Sequence, residues 1–563
     1  MLSVRAVFVA GILVSLLFAG CVQGDEPATK SSTSAGRRRA AGVPAFISEK
    51  LPDPVLQCYD GVGCNQEMTP DKDRQGNEVT IAVNPTNPRN IVGGAKDYYP
   101  ADAGECVWDG IYVTHDGGAT PYNDRSFDGS PWRQLSQPDP SKLNYASQFW
   151  CTTDPVVYFN TKGTFYYLLM AYQADRVTGS KTCKDICPLG ALNDWAFNRA
   201  VQIVATSNDG GKSFQTFTPI LDGVLPVFHD KGWIAASNDG VIHAMWLALV
   251  PGNLYFRSTD GGKSFSDPQL LAATGVGGGQ GSFVDVGPGK EVYAAWRSGR
   301  GETLRRSFDE GKTWDAARTV INITGRSMPG LSSRDARGGF PHMATDKFAD
   351  SPNAGAIYFV WQDGSKSDAT DVLFSASFDK GQTFTPPIVL NDDYREDGLL
   401  EANNWQIFPT VSVSPLGVID VSWMDSRLLG SAVLKPNNGG LPAKVGQSHL
   451  KLDQFHTYSL DGGKTWSQNF RVRDVNDDGW DPQVCHHQNG MIFIGDYNDI
   501  DSSWGAAHPV WPDSRSGDMC DVYTAIIQRP IFPDGFDEEK KNTWRQRLIS
   551  EKLVEPDHPF IDR

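Results

Sequence analysis

The sequence predicts an all-β protein: a β-propeller of four-stranded antiparallel blades, seven favoured over six, followed by a short C-terminal helix. Three observations lead there. The composition is rich in aromatics (16 Trp, 17 Tyr, 28 Phe) and in turn formers (57 Gly, 35 Pro), which favours strands and tight turns over helices. An eight-residue turn, Ser-x-Asp-x-Gly-x-Ser/Thr-aromatic, recurs at 207–214, 258–265, 307–314, 377–384 and 459–466, with a sixth copy at 114–120 that lacks the aromatic. A longer unit precedes most of these turns: an alternating apolar run, a Gly-containing turn, then a second run ending in Trp, as in 233–246, 283–296, 340–361 and 408–423. Strand, turn, strand, then strand, Asp-turn, strand makes a four-stranded unit, and radial repetition of such units is a propeller.

The first element is a targeting segment. Arg5 opens residues 1–20, an apolar run follows over 7–18, and Ala19 and Gly20 precede Cys21. This pattern reads as a signal peptide, too short for a membrane span. Leu17 to Cys21 resembles a lipobox with Phe18 in place of the usual Leu, which makes Cys21 the candidate lipidation site; cleavage near Gly24 is the alternative. The expected localisation is therefore exported, either as a cell-surface lipoprotein or as a secreted protein. Residues 21–41 are Ser, Thr, Ala, Gly and Arg, a solvated tether. Apart from Cys21, eight cysteines remain, an even number that suits four disulfides in an exported chain. Cys58–Cys64, Cys183–Cys187, Cys106–Cys151 and Cys485–Cys520 are the expected pairs.

The propeller is expected over 42–535, with units starting near 79, 153, 232, 281, 340, 407 and 491; the last has no Asp-turn. In each turn the Asp accepts backbone N–H bonds, the Gly supplies positive φ, the Ser or Thr hydroxyl adds a bond, and the ring anchors the hairpin. Over 536–563 a helix is expected at 537–553, with acids first and Trp544, Leu548 and Leu553 on one side, packed on the outside of the propeller.

The octapeptide is the Asp-box, or bacterial neuraminidase repeat, and the chain resembles the sialidase-like superfamily over about residues 79–528. The resemblance implies the propeller fold. It also implies, for an active member, three arginines on a sugar carboxylate, an Asp acid/base, and a Tyr nucleophile activated by Glu. The Arg-Ile-Pro motif that usually precedes the first box is absent; residues 78–85 occupy that place.

Site candidates follow from position and chemistry. Arg297, Asp425, Arg427, Asp513 and Arg515 follow the inner Trp of their units and are candidates for substrate binding, because guanidinium forks match carboxylates. The alternative is Asp–Arg pairing that ties blades together. Tyr497 is the candidate nucleophile, beside Asp496, with Glu78 or Glu401 as its base; the alternative is a core Tyr whose hydroxyl bonds Asp496. Asp474, Asn476 and Asp478 match the start of a calcium loop without its distal Glu, so calcium is the one cofactor suggested, against an ordinary acidic turn. Asp71 and Asp73 form a weaker version.

Lys+Arg total 51 and Asp+Glu 67, a net charge of −16, which argues against a nucleic-acid partner. The expected partner is a glycoconjugate or cell-surface ligand. The chain is expected to be a monomer and to touch membrane only through a lipid anchor. Two functions fit: an exo-α-sialidase-like glycoside hydrolase, or a non-catalytic propeller that binds glycans or proteins.

Overall fold

The computed structural model describes residues 47–48, 50–59, 63–69, 75–98, 108–119, 133–134, 151–172, 200–220, 229–248, 250–299, 301–326, 328, 331, 339–367, 369–394, 404–429, 451–475, 477, 479–488, 491–517 and 519–562. Seven antiparallel sheets form the ring. Their innermost strands are Gln75–Val83, Cys151–Phe159, His229–Ala236, Phe283–Val286, His342–Thr345, Gln406–Val413 and Asp499–Ser502, in blades 1 to 7. Each packs against the inner strand of the next blade, and Asp499–Ser502 packs back against Gln75–Val83, so the circle closes. The seven-blade expectation holds.

Within a blade the strands run consecutively outward. Blade 3 is Ile242–Ala248, Gly252–Ser258 and Gln269–Ala273 beyond its inner strand. Inner Trp residues fill the gaps between sheets: Trp246, Trp296, Trp361, Trp423 and Trp511 are all fully buried. That is where the alternating runs ending in Trp place their largest apolar surface.

Every Asp-box spans the turn from the third strand to the fourth. Its Ser or Thr is the last residue of the third strand: Thr114, Ser207, Ser258, Ser307, Ser377 and Ser459. In blade 3, Ser258 Oγ donates to Asp260 Oδ1 at 2.8 Å and accepts from Gly262 N at 3.0 Å. Ser264 donates to the same carboxylate through N (3.0 Å) and Oγ (2.5 Å). The box glycine needs positive φ and also has no room for a Cβ. At Gly311 (φ +77°) a Cβ would lie 1.8 Å from the Tyr255 hydroxyl of the preceding blade. The anchoring rings reach the same seam. Trp314 meets Tyr255 edge-on at 4.8 Å, and Trp466 meets Phe374 at 4.8 Å. A box therefore locks its own hairpin and seats it on the previous blade.

Blade 7 has no box because it has no such turn. Its fourth strand is Asn65–Glu67, from the other end of the chain, paired with Asp521–Ala525. Where no covalent hairpin exists, no turn lock is needed. The Cys58–Cys64 disulfide sits immediately before this closing strand, and Cys485–Cys520 ties the approach to blade 7 to its own third strand. Both are expected pairs; the other two involve residues outside those described.

The C-terminal helix is Glu538–Ser550, capped by the Asp537 carboxylate on Lys540 N, and it buries Trp544 and Leu548 as the spacing predicted. It packs against Trp504 and Leu416, in the turns after the inner strands of blades 7 and 6. It thus covers part of the face that carries the box turns.

Two outcomes are expected. The hydrogen bonds from Ser264 and Ser258 bring the Asp260 carboxyl down to about 2. A depressed carboxyl stabilises the fold above its unfolded value, roughly 3.9, and loses that contribution as pH falls through the folded one. Asp260→Ala should lower the melting temperature by about 1–2 °C near neutrality and flatten its fall between pH 4 and 2, measured by calorimetry. Cys58→Ser should cost about 2 kcal/mol, the loop-closure value for a short ring, in a denaturant titration.

Candidate functional site

The inner strands are interrupted at one height. Blades 1, 2, 3 and 6 carry β-bulges between Asn77 and Thr80, Thr153 and Val156, Asp230 and Gly232, and Ile407 and Thr410. The bulged residues are Glu78, Asp154, Lys231 and Phe408. Three of them hold positive φ without being glycine: +50° at Glu78, +59° at Asp154 and +50° at Phe408. Of the other such residues, Glu310 and Lys380 fill glycine slots inside Asp-boxes, and Lys552 follows the C-terminal helix. Backbone strain of about 1–3 kcal/mol per residue persists where the surroundings enforce it, and it concentrates at functional sites. Blade 7 reaches the same height through Gly495 (φ +99°), where a Cβ would lie 2.7 Å from Glu78 N. That close approach brings Tyr497 beside blade 1.

The result is a buried polar cluster at one mouth of the channel. Glu78 Oε2 pairs with Lys96 Nζ at 3.1 Å, and Glu78 and Asp154 share a side-chain hydrogen bond. Burial, then the Glu78 charge, pushes the Asp154 carboxyl up to about 6. Asp109 accepts from the Tyr167 hydroxyl at 3.0 Å, and burial followed by the Asp154 charge raises it well above the carboxylate range. Tyr497 is buried and its hydroxyl has no hydrogen-bond partner among the described residues. Burial, with Asp154, Glu78, Asp109 and Asp496 around it, raises its phenol well above 10. Lys231 Nζ lies 3.6 Å from the centroid of the Tyr497 ring. Tyr98 stacks on His486 at 3.9 Å beside Lys96, and Trp233 and Phe340 flank Lys231, so aromatic faces line the cluster. Buried carboxyls among aromatic planes suit a polyhydroxylated ligand.

Toward the other end of the inner strands, Lys347 Nζ donates to Tyr158 OH at 3.2 Å and faces Asp285 at 4.0 Å and Asp501, joining blades 2, 4, 5 and 7 around the axis.

The BNR/Asp-box repeat family matches residues 457–468, which hold the box of blade 6. Its Ser459–Asp461–Thr465 bonds repeat those of the boxes in blades 2 to 5. The chain is a seven-bladed propeller that carries Asp-box repeats. No curated protein matches its sequence. Among solved structures the propeller is similar to a Hadza microbial sialidase, with 14% identity over 64% of this chain and 66% of that one, TM-score 0.40. It is similar to an α-L-arabinofuranosidase of Fusarium graminearum, with 12% identity over 83% and 97%, TM-score 0.39. It is also similar to a Penicillium chrysogenum α-L-arabinanase, with 10% identity over 85% and 99%, TM-score 0.37. Identities this low transfer no chemistry.

The Asp-box propeller brings three sequence candidates together: Glu78, Asp496 and Tyr497 all act on the same cluster. The Tyr497 hydroxyl does not bond Asp496, so the core-tyrosine alternative lacks the contact it needed. Arg427 and Arg515 take the blade-tying alternative. Arg427 forks onto Asp425 at 2.8 Å, reaches Asp392 at 2.6 Å and lies over Phe455. Arg515 repeats this with Asp513 (2.6 Å), Asp474 (2.9 Å) and Tyr523. Trp423 and Trp511 donate their indole N–H to the same two aspartates, which completes identical clasps. Arg297 donates to Gly339 O at 2.6 Å.

The Asp474 carboxylate is occupied by Cys64 N, Asn65 N and Arg515, so it serves the closing strand; Asn476 and Asp478 lie outside the described residues. No cluster of three His, Cys, Asp or Glu fit to hold a metal occurs among the described residues. Glu401, Asp71, Asp73 and Cys21 also lie outside them. Asp154 and Lys231 were missed in the sequence. Their signal is positional: each falls at the place in its inner strand that Glu78 occupies in blade 1. Gly495→Ala should cost about 1–3 kcal/mol of stability, read from a denaturant midpoint, because neither its φ nor the Glu78 backbone leaves room for a methyl.

Proposed function

We propose that the protein is a glycoside hydrolase working at the bulged mouth of the channel. The observation that supports this is the convergence of Glu78, Asp154 and Tyr497 from blades 1, 2 and 7, with a carboxyl raised toward neutrality beside a phenol hydroxyl that has no hydrogen-bond partner among the described residues. Asp154 is protonated below about pH 6 and donates to the departing glycosidic oxygen. Tyr497 attacks the anomeric carbon while Glu78 takes the phenolic proton, an arrangement outside the usual carboxylate pair. Lys96 holds Glu78 in place. Aromatic planes at Tyr98, Trp233 and Phe340 receive the C–H faces of the sugar.

A non-catalytic glycan- or protein-binding propeller is the second reading. One observation favours it: Arg427 and Arg515 are spent in blade clasps, so they do not form the carboxylate grip of an active sialidase.

The deciding experiment is hydrolysis of a panel of fluorogenic sialosides, arabinosides and hexosides. Activity on at least one is expected, with a basic limb near pH 6 as Asp154 ionises. Asp154→Asn should remove about 10²–10⁴-fold of kcat, and Tyr497→Phe a comparable amount. A panel with no turnover, alongside glycan binding measured by calorimetry, would replace the first reading with the second.

A further inference from the structure

The clearest unused group in the molecule is the Lys231 amine. Lys231 occupies the bulge of blade 3 and is only 4% exposed. Its Nζ has no hydrogen-bond partner among the described residues. It stands instead inside aromatic faces: 3.6 Å from the Tyr497 ring centroid, 4.7 Å from Phe283, 5.1 Å from Trp233 and 5.3 Å from Phe340. A buried ammonium normally finds a carboxylate at contact distance. Here the carboxyls of Asp499, Asp496, Asp154, Glu78 and Glu302 surround Lys231, yet none is its hydrogen-bond partner.

Glu302 is the second unusual group. It lies fully buried in blade 4, near enough to Lys231 to feel its charge, and neither carboxyl oxygen has a hydrogen-bond partner among the described residues. Burial raises its carboxyl well above the ordinary range, against the pull of the Arg297 and Lys231 charges, which favours the neutral acid. Burial also brings the Lys231 ammonium down to about 8, against the pull of the surrounding acids, so a usable fraction is free amine at neutral pH. An unpartnered amine and an unpartnered acid at the same mouth are two independent exceptions to the rule that buried polar groups are satisfied.

We propose that Lys231 is a carbonyl-capturing amine, with Glu302 as its acid, and that its ligand is the aldehyde of a short, hydroxylated, open-chain sugar. Nζ attacks the carbonyl carbon; the C–N bond forms as the C=O π pair moves onto oxygen. That oxygen takes one proton from the nitrogen and a second from Glu302, then leaves as water. The product is an iminium whose positive charge faces the new Glu302 carboxylate. The aromatic faces exclude water from the iminium and stack on the carbon chain, as in other desolvated lysine nucleophiles. No oxidant, reductant or metal enters the step. The assignment is independent of glycoside hydrolysis.

The test is reductive trapping on the full chain. Glycolaldehyde and sodium cyanoborohydride are added at pH 7.5, and modified lysines are mapped by peptide mass spectrometry. The expected result is a hydroxyethyl adduct at Lys231 forming about ten-fold faster than at an average exposed lysine, because the amine is far less protonated. Lys231→Met should remove that adduct and leave the surface ones. Glu302→Gln, which keeps the side-chain volume, should slow capture at Lys231 while the far-ultraviolet spectrum stays unchanged. If Lys231 is recovered unmodified while exposed lysines carry the adduct, the proposal fails, whatever the folding of the variants. An unchanged rate in Glu302→Gln overturns the assignment of the acid.

Discussion

The inner edge of each blade is a row of backbone donors and acceptors with no strand to meet it, and everything else in the ring depends on how those groups are satisfied. At four of the seven junctions a polar side chain on one inner strand meets the backbone of the next. Asp499 accepts from Ile81 N and Thr80 Oγ1, and Asp501 from Val83 N. Thr80 then receives Val157 N, Asp285 receives Thr345 N, and His342 receives Val411 N. An unpaired edge is otherwise both costly and sticky. Here those edges are stitched to their neighbours, which helps fix the order of the blades and leaves a polar axis.

The same stitching explains why chemistry collects at one end. Below the bulges the inner strands are regular and their side chains are consumed by stitching or by the Lys347 contacts. Above, the bulges break the pairing and turn Glu78, Asp154 and Lys231 out of register, where no neighbouring edge needs them. Positive φ at Glu78 and Asp154 costs stability locally. The rigid blades on either side supply the constraint that holds it.

Much of the fold was legible from the sequence because it is written many times. Six boxes, the Trp-ended runs and the cysteine spacing located all seven blades and the two disulfides seen. The helix was legible from Asp537, Trp544 and Leu548. The candidate site was legible only in part. Asp496 and Tyr497 stood out behind Gly495, with Glu78 as a candidate base, but Asp154 and Lys231 did not, because each occurs once and a bulge leaves no periodic trace. The near-identical Trp-x-Asp-Ser-Arg stretches drew attention for the opposite reason. They repeat because they do the same structural work in blades 6 and 7, the indole and guanidinium sharing one carboxylate. In a repeat protein, recurrence marks scaffold, and chemistry sits where the pattern is broken.

The closing strand carries a further implication. Asn65–Glu67 pairs with Asp521–Ala525, more than 450 residues along the chain. During vectorial synthesis the segment that seals the circle emerges more than 450 residues before the strand it pairs with. Until the two pair, blade 7 presents an open rim, the form most exposed to proteases and to pairing with other chains. The small covalent ring at Cys58–Cys64 adjoins that segment and restricts the shapes it can take once the bond has formed.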